Sequence, residues 1–298
     1  MKAQIKKYWS LYLFLLPGLI WLLLFCYYPM YGVTIAFKNF SPRLGIMNSP
    51  WAGWKYFEQF FSTSIAKTCI TNTLILSALS IVFGFPAPVI FALLLNSLDA
   101  KRYQKVVQTV SFAPHFISVV VLVSMLNLML SPTTGFVNKL IAVFGGEVRM
   151  FTAKAEYFRP VYVLSGIWQG MGFGAVVYLA ALAGVSPELH EAAIIDGATK
   201  LQRICHVDFP AILPTIILML ILNMGSIFSV GYEKVLLMQN PMNTSVSEVI
   251  STYTYKVGLM NAKYSFSTAV GLFNSVCNFV ILVIVNGVSK AVTETSLF

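Results

Sequence analysis

Residues 186–210 read Ser-Pro-Glu-Leu-His-Glu-Ala-Ala-Ile-Ile-Asp-Gly-Ala-Thr-Lys-Leu-Gln-Arg-Ile-Cys-His-Val-Asp-Phe-Pro, a polar stretch set between two long apolar runs. It holds four of the chain's 11 acidic residues (Glu188, Glu191, Asp196 and Asp208) and two of its three histidines, while the runs on either side carry no formal charge. Charged side chains are costly inside a bilayer, so this segment belongs in water at one membrane face. Ser186 suits an N-cap, Pro187 a first helical position, and Glu188 the first turn, where the helix dipole favours an anion. Glu191-Ala192-Ala193-Ile194-Ile195 favour helix and Gly197 breaks it. The expected local structure is a short helix, a turn, and a second helix over residues 198–207 ended by Pro210.

Working outward, the chain is 57% hydrophobic and 10% charged, with a mean hydropathy of +0.76. Soluble domains carry about 25% charged residues, so this composition indicates an integral membrane protein. Six apolar stretches are long enough to cross a hydrocarbon core about 30 Å thick: residues 11–37, 69–95, 106–130, 160–184, 209–231 and 267–288. The fold class that follows is all-α, a polytopic transmembrane helical bundle of six predicted spans. Lys2, Lys6 and Lys7 precede the first span, which runs past Leu24 through Tyr27, Tyr28 and Tyr31 without a small-residue cleavage site. An uncleaved anchor is expected rather than a signal peptide.

The net charge of +9 does not indicate nucleic acid, because the basic residues are scattered among connecting loops and form no compact patch with interleaved aromatics. Cys26, Cys69, Cys205 and Cys277 show no metal or redox spacing and are expected to pack in the core. The loop from Lys38 to about Thr68, with Trp51 and Trp54, is expected against the outer membrane face. In the second span, Phe85-Pro86-Ala87-Pro88 predicts a kinked helix inside the bundle, where neighbours satisfy freed carbonyls. His115, next to Pro114 in the third span, is expected to bond a neighbouring helix. Gly166, Gly170 and Gly174 lay one smooth stripe along the fourth span, suited to close helix packing or to lining a passage. Val249, Tyr253 and Val257 stand at helical spacing, which suits a short helix on the outer surface.

None of the 20 basic and 11 acidic residues falls within the six stretches, whereas ion-coupled carriers keep such groups in the membrane. No Gly-x-x-x-x-Gly-Lys-Ser/Thr loop is present to cradle a nucleotide. No paired carboxylate or His/Cys cluster forms a catalytic or metal constellation, so the chain reads as a non-enzyme without cofactor or metal. A passage for an uncharged polar solute needs hydrogen-bonding groups and aromatic faces. Asn127, Gln169, Tyr178, Asn223, Ser226, Ser229, Asn274 and Asn278 are the set available, and each has interhelical bonding as its alternative role.

The spacing Glu191-Ala192-Ala193, Gly197, Val207, Phe209, Pro210 resembles the signature cytoplasmic loop of permease subunits of binding-protein-dependent ATP-binding-cassette importers. Val207 and Phe209 stand where that family more often has Ile and Leu. Four other segments are similar to sugar-importer permeases: Phe14-Leu15-Leu16-Pro17-Gly18 with Tyr28-Pro29, the run from Phe85 to Asn96, Ala113-Pro114-His115-Phe116-Ile117-Ser118, and Tyr264-Ser265-Phe266-Ser267-Thr268-Ala269. The larger-subunit branch that takes up polysaccharide-derived oligosaccharides in Gram-positive bacteria resembles this chain best.

The resemblance implies the type I importer permease fold. It implies an anchor helix and external loop over 1–68, a permease domain over 69–290 with a coupling loop at 186–210, and a cytoplasmic tail over 291–298. It places the chain in a bacterial plasma membrane with a second related permease, two ATP-binding subunits and an extracytoplasmic solute-binding protein. Glu191, Ala192, Ala193, Asp196, Gly197 and Pro210 would form the contact with the ATPase. The orientation follows from this resemblance, since Lys and Arg do not concentrate on one side. The rival expectation is a stand-alone facilitator or ion-coupled carrier; a membrane scaffold or sensor without transport is a third.

Overall fold

The computed structural model describes residues 8–293, so Lys2, Lys6 and Lys7 and the tail beyond 293 lie outside the described residues. Among the described residues five helices are long and apolar enough to cross a membrane: α1 (Trp9–Phe37), α2 (Ser64–Asn96), α5 (Ala155–Leu182), α7 (Lys200–Met224) and the last of them, α9 (Tyr264–Thr293). A sixth candidate is a bent pair, α3 (Lys101–Phe116) and α4 (Val119–Met129), which meet at 99°. Between these lie the short helices α6 (Pro187–Ile195) and α8 (Tyr232–Met238). The architecture is a helical membrane fold with six spans when the bent pair is counted as one.

The third span departs from the single straight helix expected over 106–130. Pro114 has no amide hydrogen to continue the ladder, Ile117 is extended (φ −74°, ψ 126°), and Ser118 restarts the chain by accepting from the Val121 amide at 3.4 Å. His115 stacks on Phe173, with centroids 4.0 Å apart and planes 3° apart, in place of the expected hydrogen bond.

Proline is handled differently at three other points. Wide π turns at Leu23–Tyr27, Ser80–Gly84 and Ile204–Asp208 each end two residues before a proline, namely Pro29, Pro86 and Pro210. A proline ring clashes with the carbonyl four residues back in a regular α-helix. Here that carbonyl belongs to a looser turn, which opens the space. The helix therefore runs through Pro210 to Met224 instead of stopping there.

Contacts divide the chain into two compact units, residues up to Thr63 with Thr254–Phe273, and Ser64–Tyr253 with the chain from Asn274 onward. The expected boundary at 68/69 falls inside α2. In the first unit Phe37 packs on Trp51, Trp54 and Phe57, and Phe60 packs on Phe266 and Phe273. Lys38 Nζ ties down the intervening loop by donating to the Ile46 and Met47 carbonyls at 2.7 and 3.1 Å.

In the second unit α2, α5 and α7 share one core: Val89, Ala92 and Leu93; Ala175, Tyr178 and Leu182; Ile212 and Ile216. Lipid is as apolar as these side chains, so close packing of small residues holds the helices together. The tightest point is Gly172, where a Cβ would stand 2.1 Å from the Ser111 carbonyl oxygen of α3. A second cluster joins Leu76, Phe158, Val235 and Val249. Val249 is fully buried, so the segment around it is partly internal and not simply laid on the outer surface.

Candidate coupling site and interior cavity

Ser186 occupies the N-cap of α6, but its hydroxyl makes no capping bond, and its carbonyl accepts from the Leu189 amide at 3.2 Å. The other end follows the sequence closely. Gly197 adopts φ +78°, its amide donates to Ile194 O at 3.0 Å, and the Ala198 amide donates to Ala193 O at 2.9 Å. This left-handed stop is open to glycine and strained for most other residues. Two residues later Thr199 and Gln202 form a reciprocal capping box that starts α7. Two helices thus meet at a turn built from local bonds.

Every residue of α6 is at least partly exposed, including Glu191, Ala192 and Ala193. Three large apolar side chains are more than half exposed on it, namely Leu189, Ile194 and Ile195, the last at 86%, and Leu201 lies just beyond at 68%. Large apolar side chains exposed around an otherwise polar elbow make it a candidate surface for a protein contact. Asp196, Gly197 and Pro210 are exposed as well.

Behind the exposed face the elbow is anchored. His190 Nε2 faces Asp208 Oδ1 at 3.3 Å, and Asn96 Nδ2 reaches the same oxygen at 3.4 Å. Asp208 is 2% exposed, so α6, the start of α7 and the end of α2 meet at one buried carboxylate. Lys200 pairs with Asp99 across the neighbouring loop, and this hydrogen bond and charge hold the exposed Asp99 carboxyl below the usual carboxylate range. Both pairs border a cavity of about 550 Å³. Sequence reading singled out none of His190, Asp208, Asn96 or Asp99 as site residues. The available signal was the pairing of His190 with Asp208 within one polar stretch.

A second cavity, of about 370 Å³, lies in the same unit between α2, α5 and α8, bordered by Ser80, Gly84, Pro88, Tyr162, Gly166, Gln169, Gly170 and Lys234. Gly166 and Gly170 of the glycine stripe face it, whereas Gly174 packs on Pro88, where a Cβ would approach to 3.3 Å. Lys234 is 8% exposed; its ammonium donates to Tyr162 O at 2.9 Å and lies 4.7 Å from the centre of the Tyr162 ring. Burial pushes this amine down to about 8. Arg159 is also inside the unit, donating to Asn72 Oδ1 at 3.0 Å, while Asn72 donates to the Ser245 and Glu248 carbonyls. The unit's interior is therefore less free of charge than the six apolar stretches implied.

The expected passage residues scatter. Gln169 borders the second cavity, with Nε2 donating to Ile117 O at 2.9 Å. Tyr178 is 2% exposed in the shared core and borders neither cavity. Asn278 is a fastener: it accepts from the Phe228 amide and donates to Ser229 Oγ, both at 2.8 Å. Asn223 donates to Met219 O and Ser226 to Asn223 O, each within its own turn and exposed. Asn127 is exposed beside a small crevice with Phe151 and Thr152. Asn274 is half-buried, and its Oδ1 has no partner among the described residues.

Several spanning helices, an exposed elbow anchored at its root and a cavity inside the bundle define a membrane transport component. The chain belongs to the family of binding-protein-dependent transport system inner membrane components, which it matches over residues 70–294. It is 44% identical over 296 residues to Protein LplB of Bacillus subtilis (strain 168), covering 99% of this chain and 93% of that one. It is 41% identical over 293 residues to the polygalacturonan/rhamnogalacturonan transport system permease protein YteP of the same organism, covering 98% and 91%. Among solved structures it superposes with a TM-score of 0.91 and 40% identity on a chain of a bacterial alginate ABC transporter in complex with an alginate pentasaccharide-bound periplasmic protein, covering 100% and 99%. The chain is the permease component of an ABC importer, in accord with the resemblance drawn from Glu191-Ala192-Ala193 and Gly197.

Proposed function

We propose that the chain forms half of a route for an oligosaccharide across a bacterial plasma membrane, beside a second related permease. Two ATP-binding subunits would drive it and an extracytoplasmic solute-binding protein would feed it. The observation that carries this reading is the elbow, whose exposed apolar side chains sit on a helix fastened through His190 to the buried Asp208. In the assembled importer Ile195 and Leu189 fill a groove of an ATP-binding subunit, Glu191 meets a basic residue beside that groove, and Ala192 and Ala193 keep the surface low. Asp196 and Gly197 set the turn, and Pro210 follows the wide turn through which α7 is pushed. The chain itself carries out no chemistry and needs no cofactor. Residues 69–290 act as the permease domain, after an anchor and external loop over 1–68.

Support for a carbohydrate comes from similar proteins described as transporting polygalacturonan/rhamnogalacturonan and arabinooligosaccharides, and from the alginate-bound complex. Gln169, at the second cavity, is the passage residue with the strongest positional support. Asn127, Asn223, Ser226 and Asn274 could join the route only where the second permease closes on them, and Tyr178 and Asn278 support its walls.

The test is reconstitution of the full importer in liposomes. The unaltered complex should take up oligosaccharide only with ATP and binding protein, and Ile195→Asp should lower recovery of the ATP-binding subunits by about tenfold, the effect of desolvating a new charge in an interface. Uptake by this chain alone without ATP would establish the stand-alone carrier instead.

A further inference from the structure

The second cavity holds a charge that the proposed route has not yet used. Lys234 is the one ammonium on its border, and among the described residues no carboxylate pairs with it. A buried lysine kept for structure alone is expected beside an acidic partner, because an uncompensated charge is costly to desolvate. Here the nearest groups are one carbonyl and one aromatic face, both from Tyr162. An ammonium has three donors, so bonding to Tyr162 O leaves donors free. The space in front is kept clear by glycine: a Cβ at Gly166 would stand 3.4 Å from Nζ, and Gly170 has nothing within 4 Å. Gln169 commits its amide nitrogen to Ile117 O, leaving its carbonyl oxygen as an acceptor on the same border.

We propose that Lys234 is a carboxylate-binding residue of the route, and that the carbohydrate carried is an acidic oligosaccharide containing uronic acid units. This rests on the transport reading above and narrows its substrate class. The site pairs one cation with a hydroxyl acceptor and room for a ring, which suits a monoanionic sugar. A single lysine meets a carboxylate as a point charge without fixing its orientation, so successive units could pass.

The experiment uses the complete reconstituted importer and measures ATP-dependent uptake of oligogalacturonates and oligoalginates, their methyl esters, and neutral arabino- and galacto-oligosaccharides. The expected result is uptake of an acid, lowered about tenfold by Lys234→Met, as for loss of a charged hydrogen bond, and largely kept by Lys234→Arg. Uptake of the matching ester should change less than about twofold, so that binding-protein preference cancels when the two variants are compared. Equal uptake of acid and ester by the unaltered importer, or equal loss of both in the Met and Arg variants, would overturn the assignment. So would uptake of neutral sugars only. If Lys234→Met does not assemble, Lys234→Gln takes its place, and loss of acid uptake without loss of ester uptake relative to the unaltered importer decides. Failure of every sugar would remove the transport reading and the site with it, an outcome distinct from uptake without charge preference.

Discussion

His190 Nε2 lies 3.3 Å from Asp208 Oδ1, joining the middle of the exposed elbow helix to a carboxylate that is almost wholly buried at the root of α7. The pair spans the elbow from its wet side to its packed side. Through Asp208 it also reaches Asn96 at the end of α2, so α6 is tied to two membrane helices at once.

Removing His190 should therefore separate grip from movement. His190→Ala leaves Asp208 buried with only the long Asn96 contact, at a cost of about 1–3 kcal/mol for the underbonded carboxylate. The expected outcome is normal recovery of the ATP-binding subunits with substrate-stimulated ATP hydrolysis reduced about tenfold, checked on the purified complex with and without loaded binding protein. Full stimulation in this variant would show that the pair carries no stroke.

Gly197 offers a graded test of the turn. Its φ of +78° is closed to proline, whose ring holds φ near −65° and whose nitrogen cannot donate to Ile194 O. Gly197→Pro should abolish stimulated ATP hydrolysis while membrane insertion persists, and Gly197→Asn, which tolerates the left-handed region, should retain most of it. Equal activity in the two variants would contradict the role given to the elbow.

The glycines of α5 make a paired prediction about stability. Gly172→Ala drives a methyl into the Ser111 carbonyl and should destabilise by about 1–3 kcal/mol, seen as a lower unfolding midpoint in detergent. Gly170→Ala meets open space and should leave the midpoint unchanged. A reversed order would mean that α5 packs through its other face.

The elbow was legible because its determinants are local: Gly197 stops a helix, Pro187 starts one, and the spacing to Pro210 counts residues along one chain. Fold class was equally accessible, since length and hydropathy select spanning helices. What escaped was set by packing between distant segments. Lys234 stands in a stretch of mixed polarity that reads as an external loop, and only its approach to Tyr162 turns it inward. Tyr178 and Asn278 have the chemistry of a polar lining, yet neighbours bury the first and the turn at Phe228 and Ser229 engages the second. The break at Ile117 was missed because apolar residues continue on both sides of Pro114, and hydropathy does not register a change of direction. Pro210 was misread as a stop because the wide turn before it leaves no mark in composition.

Those wide turns carry a geometric consequence for the working importer. Each contains one residue more than the α-helical turn it replaces, which rotates everything beyond it by about 100° relative to an uninterrupted helix. In α7 Asp208, which closes the wide turn, Ile212 and Ile216 stand at intervals of four and share one buried seam, whereas Lys200–Arg203, before the turn, are set at a different azimuth. The elbow end of the rod thus faces one azimuth and its buried seam another, so torque applied at the elbow can reach the bundle as rotation as well as translation.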